Sequence, residues 1–214
     1  MKYRGQHKQD EFIVNFFNEK TGGVFVDIGA HNGITYSNSY VLEKEFNWKG
    51  ICIEPMQHQY DELIKIRDSK NYNCAIFDKE GTTDFLLVKH TTYPDMLSGI
   101  KSELTEQQLA GIDREVKRLN LEEPELIKIQ TRNLNNILEE NKFYEIDFLS
   151  IDVEGAEYKI LDSIDYNKFN IKVIILENNK GDIQILRDLL ISKGFKFNSR
   201  IRIDDVFVNN NYEG

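Results

Sequence analysis

The chain has 214 residues, 36 of them acidic and 27 basic, for a formal charge of -9, and 40% of it is hydrophobic. That length suits one α/β domain with a full core, and the acidic balance argues against a broad nucleic-acid footprint, which needs clustered Lys and Arg. Residues 1–10 are polar where a secretory signal would be apolar, and no later run is long enough to span a bilayer.

Taken in chain order, Phe12, Ile13, Phe16 and Phe17 form an apolar stripe that predicts a helix over 6–18. Residues 24–28 read as a first strand and 37–46 as the helix after it. A second strand is expected at 51–54, then a helix over 57–67 with Tyr60, Leu63, Ile64 and Arg67 in register, then a third strand at 73–77. Short β-rich runs alternating with helices imply a parallel sheet with right-handed crossovers. Cys52 and Cys74 fall inside apolar strand patterns, so reduced core thiols and a cytoplasmic location are expected.

The rhythm then breaks. Residues 83–88 and 126–131 are extended, β-prone runs flanking an insertion at 90–124. Inside it, Thr105 and Gln108 have capping-box spacing, and Leu109, Ile112, Val116 and Leu119 follow at helical intervals, predicting an amphipathic helix. The sheet resumes at 146–151, with a helix at 156–161, a strand at 172–176, and a helix over 182–193 that stops at Gly194. Two closing strands are expected at 195–198 and 205–208. No repeat or linker divides the chain, so residues 1–214 read as a single domain carrying a substrate-recognition insertion.

Two strand ends carry the chemistry. Residues 25–33 read FVDIGAHNG, an apolar run ending in an acid and a glycine turn, and residues 50–55 read GICIEP. Glycine lets the backbone turn tightly and approach a ligand. Glu54 stands 21 residues after Gly33, near the ~20-residue offset at which an acid meets a ribose diol. Singly, the glycines also fit a bare strand-to-helix turn and Glu54 a surface acid; together they predict a pocket for an adenosine-containing cofactor. The dinucleotide fingerprint G-x-G-x-x-G is not met, because His31 occupies the loop and would crowd a pyrophosphate. Asp27 would repel phosphates but suits a cationic amino acid group. The resulting D-x-G-x-x-x-G resembles motif I of the S-adenosylmethionine (SAM) methyltransferases.

A more specific resemblance covers most of the chain. The stretches GQHKQDEFI (5–13), FVDIGAHNGITYSNSY (25–40), LEKEFNWKGICIEP (42–55), IDFLSIDVEGAEYKIL (146–161) and IILENN (174–179) keep order and spacing, and on them the chain resembles the FkbM family of SAM-dependent methyltransferases. The resemblance implies an α/β, Rossmann-like class I methyltransferase fold. Its seven-stranded, mostly parallel sheet would have an antiparallel last strand and helices on both faces. It implies S-adenosyl-L-methionine as cofactor, held by Asp27, Gly29, Ala30, His31, Asn32 and Gly33 at its methionine end. Glu54 and Pro55 would hold the ribose, with Cys74 and Ala75 flanking the adenine and Asp152 also at the cofactor. Tyr36 and Asn38 are further candidate contacts, with helix capping and packing the alternative for both.

Asp152 and Glu154 follow the fourth strand at the mouth where ligands bind in open α/β sheets, and Glu177 ends the next strand. A hydroxyl acceptor is too weak an acid to ionise unaided, so these three are the candidate catalytic acids; the plainer reading of Glu154 and Glu177 is helix capping. His90 is a further candidate base. Asp152 with Glu177 and Asn178 also offers hard oxygens of the kind Mg²⁺ prefers, and nothing in the sequence fixes their geometry. The expected reaction is O-methylation of a sugar, glycan or small natural-product hydroxyl. A nucleotide-dependent oxidoreductase or sugar-nucleotide enzyme, and a non-catalytic SAM-binding protein, remain the alternatives.

Overall fold

The computed structural model describes residues 2–89, 95–178 and 183–213. The chain runs α1 (Gln9–Phe16), β1 (Val24–Ile28), α2 (Tyr40–Phe46), β2 (Lys49–Ile53), α3 (Gln57–Ile66) and β3 (Lys70–Tyr72). There follow β4 (Ala75–Ile76), β5 (Gly81–Leu87), a 3₁₀ turn at Asp95–Leu97, β6 (Gly99–Ile100), α4 (Glu106–Leu119), β7 (Glu125–Arg132) and α5 (Leu134–Asn141). The last elements are β8 (Glu145–Ile151), α6 (Glu157–Ser163), β9 (Asn170–Glu177), α7 (Ile183–Ser192), β10 (Phe195–Ile201) and β11 (Asp204–Asn209).

The main sheet has the order β10–β11–β9–β8–β1–β2–β3. β1 pairs in parallel with β2 and β8, as do β2 with β3 and β8 with β9, whereas β11 runs antiparallel to both β9 and β10. This is the class I methyltransferase arrangement, with the last strand reversed. Alternating side chains feed two cores, because successive residues of a strand face opposite sides. Phe25, Phe148, Val173, Ile175, Val206 and Val208 pack with α1, α2 and α3 through Ile13, Val14, Leu42 and Leu63. Val26, Ile28, Leu149, Ile151, Ile174 and Phe207 pack with α5, α6 and α7 through Leu134, Ile137, Ile160, Leu161 and Leu190.

Several expectations shift. The third strand is not 73–77: β3 ends at Tyr72, where Asn73 Nδ2 donates to the carbonyls of Glu54 and Pro55 and bends the chain away. Ala75 and Ile76 instead start a second sheet of order β4–β7–β5–β6. The extended runs around 83–88 and 126–131 pair there antiparallel, Gly81 with Thr131 through Leu87 with Glu125. The irregular region is therefore a folded layer larger than 90–124, while His90 lies outside the described residues. α4 has the expected capping box at Thr105 and Gln108. Its Ile112 and Val116 close a small separate core with Val88 and Leu104. α2 starts later than expected, at Tyr40, because Ser37 Oγ accepts the amides of Ser39 and Tyr40 and holds 37–39 as a turn. α5 was not foreseen. Both cysteines are free and buried.

Candidate active site

The parallel strands end at one edge, and a cavity of about 230 Å³ opens there. β1 delivers Asp27, 4% exposed, whose Oδ2 accepts a hydrogen bond from Ser39 Oγ at 2.5 Å. Burial pushes the Asp27 carboxyl above its ordinary range, opposed by the Arg67 charge and the Ser39 hydroxyl. Arg67, at the end of α3, is buried beneath the glycine loop. It donates to Gly33 O and to the Ser37 and Ser39 hydroxyls, lies 3.1 Å from Glu43 Oε2, and covers the Phe25 ring.

The loop after β1 is fixed by its backbone. Gly29 N and Ala30 N both donate to Ile53 O, which joins the loop to β2. Gly29 has φ +86°, and a Cβ there would lie 1.9 Å from the Asp152 carbonyl oxygen, so only glycine lets β1 and β8 end this close together. Gly33, at φ +79°, leaves room for Arg67 Cγ. Asn32 Oδ1 accepts the amides of Ile34 and Thr35. Among the described residues, Asn32 and Gly33 shape the loop without lining the cavity; Gly29, Ala30 and His31 line it.

Glu54 follows the end of β2 and is 2% exposed. Its Oε2 accepts His31 N at 2.8 Å and its Oε1 accepts Met56 N at 2.7 Å. Burial pushes its carboxyl up to about 7, against those hydrogen bonds and the nearby His31. The His31 ring reaches the other way, to Asp95 Oδ2 at 3.2 Å. The same carboxylate oxygen faces His58 and Gln59, so one buried acid ties the glycine loop to α3 and to the 3₁₀ turn. Pro55, Cys74 and Ala75 complete this end of the lining. Burial pushes the Cys74 thiol up to about 12, leaving it an apolar wall.

Tyr36 and Asn38 line the cavity from the turn before α2. Neither caps the helix, whose N-cap is Ser39; Asn38 Nδ2 donates to Ser150 Oγ on β8. Beyond them Asp152, Glu154 and Glu177 offer carboxylate oxygens that all lie within 4.8 Å of one another. Glu154 and Glu177 are not helix caps either: Ala156 is the N-cap of α6, and Glu177 is the last residue of β9. Asn178 lies outside the cavity lining and its Nδ2 donates to Ile183 O and Asp205 Oδ2, while its Oδ1 has no hydrogen-bond partner among the described residues. Burial alone would raise Asp205, but hydrogen bonds from Arg187 and Asn178 and the charge of Arg200 hold it below the ordinary range.

Several lining residues had no signal in the sequence. Gln6 and Gln9 arrive from the N-terminal segment. Asp204, on the reversed strand beside Glu177, accepts Gln9 Nε2 at 2.8 Å, and burial chiefly pushes it up to about 6. Met96, Leu97, Ser98 and Ile100 bring the second layer to the cavity. α4, the helix of the expected substrate-recognition insertion, supplies none of the lining among the described residues. It touches the site through Gln108 Nε2, 3.5 Å from Glu154 Oε2.

A search of the curated proteins finds no match to the chain. Among solved structures, methyltransferase FkbM from Methylobacillus flagellatus KT is 11% identical with a TM-score of 0.48; the likeness covers 87% of this chain and 43% of that one. The chain thus spans under half of that protein's length. The METTL16 MTase domain is 12% identical with a TM-score of 0.50, covering 95% of this chain and 66% of that one, a likeness of fold. Precorrin-6y C5,15-methyltransferase from Geobacter metallireducens GS-15 is 12% identical with a TM-score of 0.42, covering 93% and 84%. The family model for the methyltransferase FkbM domain matches residues 27–197. On that match, across most of its length and both strand-end motifs, the chain belongs to the FkbM methyltransferase family.

Proposed function

We propose that the chain is a SAM-dependent O-methyltransferase acting on a hydroxyl of a sugar, glycan or small natural product. The observation that carries this reading is Glu54. Its two carboxylate oxygens are held by backbone amides beside a glycine loop, and each oxygen keeps a lone pair for a ribose hydroxyl. The residues fit the cofactor: Asp27 and the loop suit an ammonium group, and the wall of half-buried Pro55 with buried Cys74 and Ala75 suits an adenine. His31, locked against Asp95, stands where a pyrophosphate would need room, which disfavours the oxidoreductase and sugar-nucleotide readings.

Bound SAM supplies a sulfonium methyl group. The protein's part is to hold the acceptor oxygen in line with that methyl and to take its proton as the O–C bond forms and the C–S bond breaks. Asp152, Glu154 and Glu177 are the groups assigned to this step, with S-adenosylhomocysteine leaving. The three carboxylates within 4.8 Å also favour a second form of the same reading, in which a hard cation such as Mg²⁺ holds the acceptor oxygen. We read the whole chain as one domain whose second layer selects the acceptor, working in the cytoplasm with its thiols reduced. No helix among the described residues is long and apolar enough to cross a membrane.

The test is calorimetry of SAM, NAD and NADP, followed by mass spectrometry of hydroxylated acceptor libraries incubated with labelled SAM. Binding of SAM alone with label on an acceptor supports the reading. Binding of a dinucleotide instead favours the oxidoreductase, and tight SAM binding with no labelled product favours a non-catalytic role.

A further inference from the structure

One residue on the cavity lining is explained neither by packing nor by capping. Tyr36 keeps 49% of its surface exposed and has φ +55°. Left-handed backbone suits glycine and asparagine; on an aromatic residue it is an outlier that costs free energy and persists only where its surroundings enforce it. Here both flanks do so. Asn32 Oδ1 fixes the turn before it, and Ser37 Oγ the turn after it. The Tyr36 backbone also bridges in parallel to Gly5. Gly5 runs so close that a Cβ would sit 2.8 Å from Asp10 Oδ1 and 3.1 Å from Asn38 Oδ1. The fold therefore spends strain to keep a large ring at the cavity mouth, half in solvent.

The chemistry beside it is complementary. Gln6, next to Gly5, shares the lining, as do the carboxylates of Asp152, Glu154 and Glu177. An aromatic face covers apolar C–H groups, while carboxylates and amides accept and donate to hydroxyls. That pairing matches a pyranose ring, which presents C–H bonds on one face and hydroxyls around its rim.

We propose that Tyr36 serves the acceptor and not the cofactor: its ring is the platform on which a pyranoside stacks with its hydroxyls toward the acids. The proposal rests on the methyl-transfer reading of the site. It is tested with protein saturated with S-adenosylhomocysteine and two probe panels, methyl pyranosides and simple phenols, observed by saturation-transfer NMR. Tyr36→Asn removes the ring while keeping a residue that tolerates positive φ, and Tyr36→Trp keeps a ring. Wild type should give transfer to the C–H protons of at least one pyranoside. Tyr36→Asn should weaken that signal at least fivefold and Tyr36→Trp should retain it. The Asn variant should melt no lower than wild type and bind S-adenosylhomocysteine within twofold. The proposal is overturned if no pyranoside responds, if phenols are preferred, or if the Asn variant responds like wild type. A matching fall in S-adenosylhomocysteine affinity would return Tyr36 to the cofactor. If wild type does not bind S-adenosylhomocysteine at all, the cofactor reading falls and this proposal with it.

Discussion

Glu54 lies buried just past β2, and burial pushes its carboxyl from 4.5 up to about 7. Between those values the folded protein holds a proton that the unfolded chain has released. The stability of the ligand-free protein should therefore fall as pH rises through this window, by roughly 3 kcal/mol in all. Accepting two ribose hydroxyls requires the ionised form, so SAM binding should release a proton below pH 7 and tighten as pH rises from 6 to 8. Titrations in buffers of different ionisation enthalpy measure that release; pH-independent affinity with no proton release would remove Glu54 from the ribose. Glu54→Ala should weaken binding by about 1.5–3 kcal/mol, the scale of hydrogen bonds to a charged group. Arg67 is the matching case behind the loop. Removing it leaves Asp27 buried without its cation and Glu43 with Lys44 alone, so Arg67→Ala should destabilise by about 3–5 kcal/mol in urea denaturation.

At the scale of elements, the glycine loop and the acids after β8 form one unit, because Gly29 lies against the Asp152 carbonyl. Gly29→Ala should cost more than the ~1 kcal/mol of an average substitution and should displace Asp152. Turnover would then fall even where stability is recovered by added ligand, as activity assays with saturating SAM would read. The βα rhythm of this half was legible in the sequence, since strand runs ending in acids and glycines announce their own boundaries. The second layer was less so. Its strands β5 and β7 showed as extended runs, but their pairing joins residues about forty to fifty apart, and nothing local encodes that. β3 was placed late because Asn73 bends the chain through a side-chain bond to another strand's end. α5 had a usable signal in Leu134, Ile137 and Leu138 at i, i+3 and i+4, with Asn133 as its cap. In the site, strand-end residues were readable from spacing. Gln9, Asp95 and Asp204 were not, because each reaches the cavity region only through tertiary contacts.

For the whole molecule, the reversed β11 brings Asp204 beside Glu177, and the second layer brings Met96 to Ile100 over the same opening. Acidic groups thus gather at the β8–β9–β11 end of the cavity and Glu54 at the β2 end, with the glycine loop after β1 between them. With a formal charge of -9, this end suits a neutral hydroxylated acceptor better than a polyphosphate. Asp152→Asn and Glu154→Gln should keep SAM affinity, and at least one should cut turnover by about 10²–10⁴-fold, the range of general-base assistance. Rates near wild type in both would move the base to Glu177. Turnover lost to EDTA and restored by Mg²⁺ would show instead that the three carboxylates act through a cation.

We propose that this cavity takes an adenosine ligand whose ribose lies on Glu54. A crystal structure of the protein with S-adenosylhomocysteine tests it most directly. Both ribose hydroxyls should lie within hydrogen-bond distance of the Glu54 carboxylate, with the adenine against Cys74 and Ala75 and the sulfur facing Asp152. A ligand bound elsewhere, or bound here with its ribose away from Glu54, would contradict the claim.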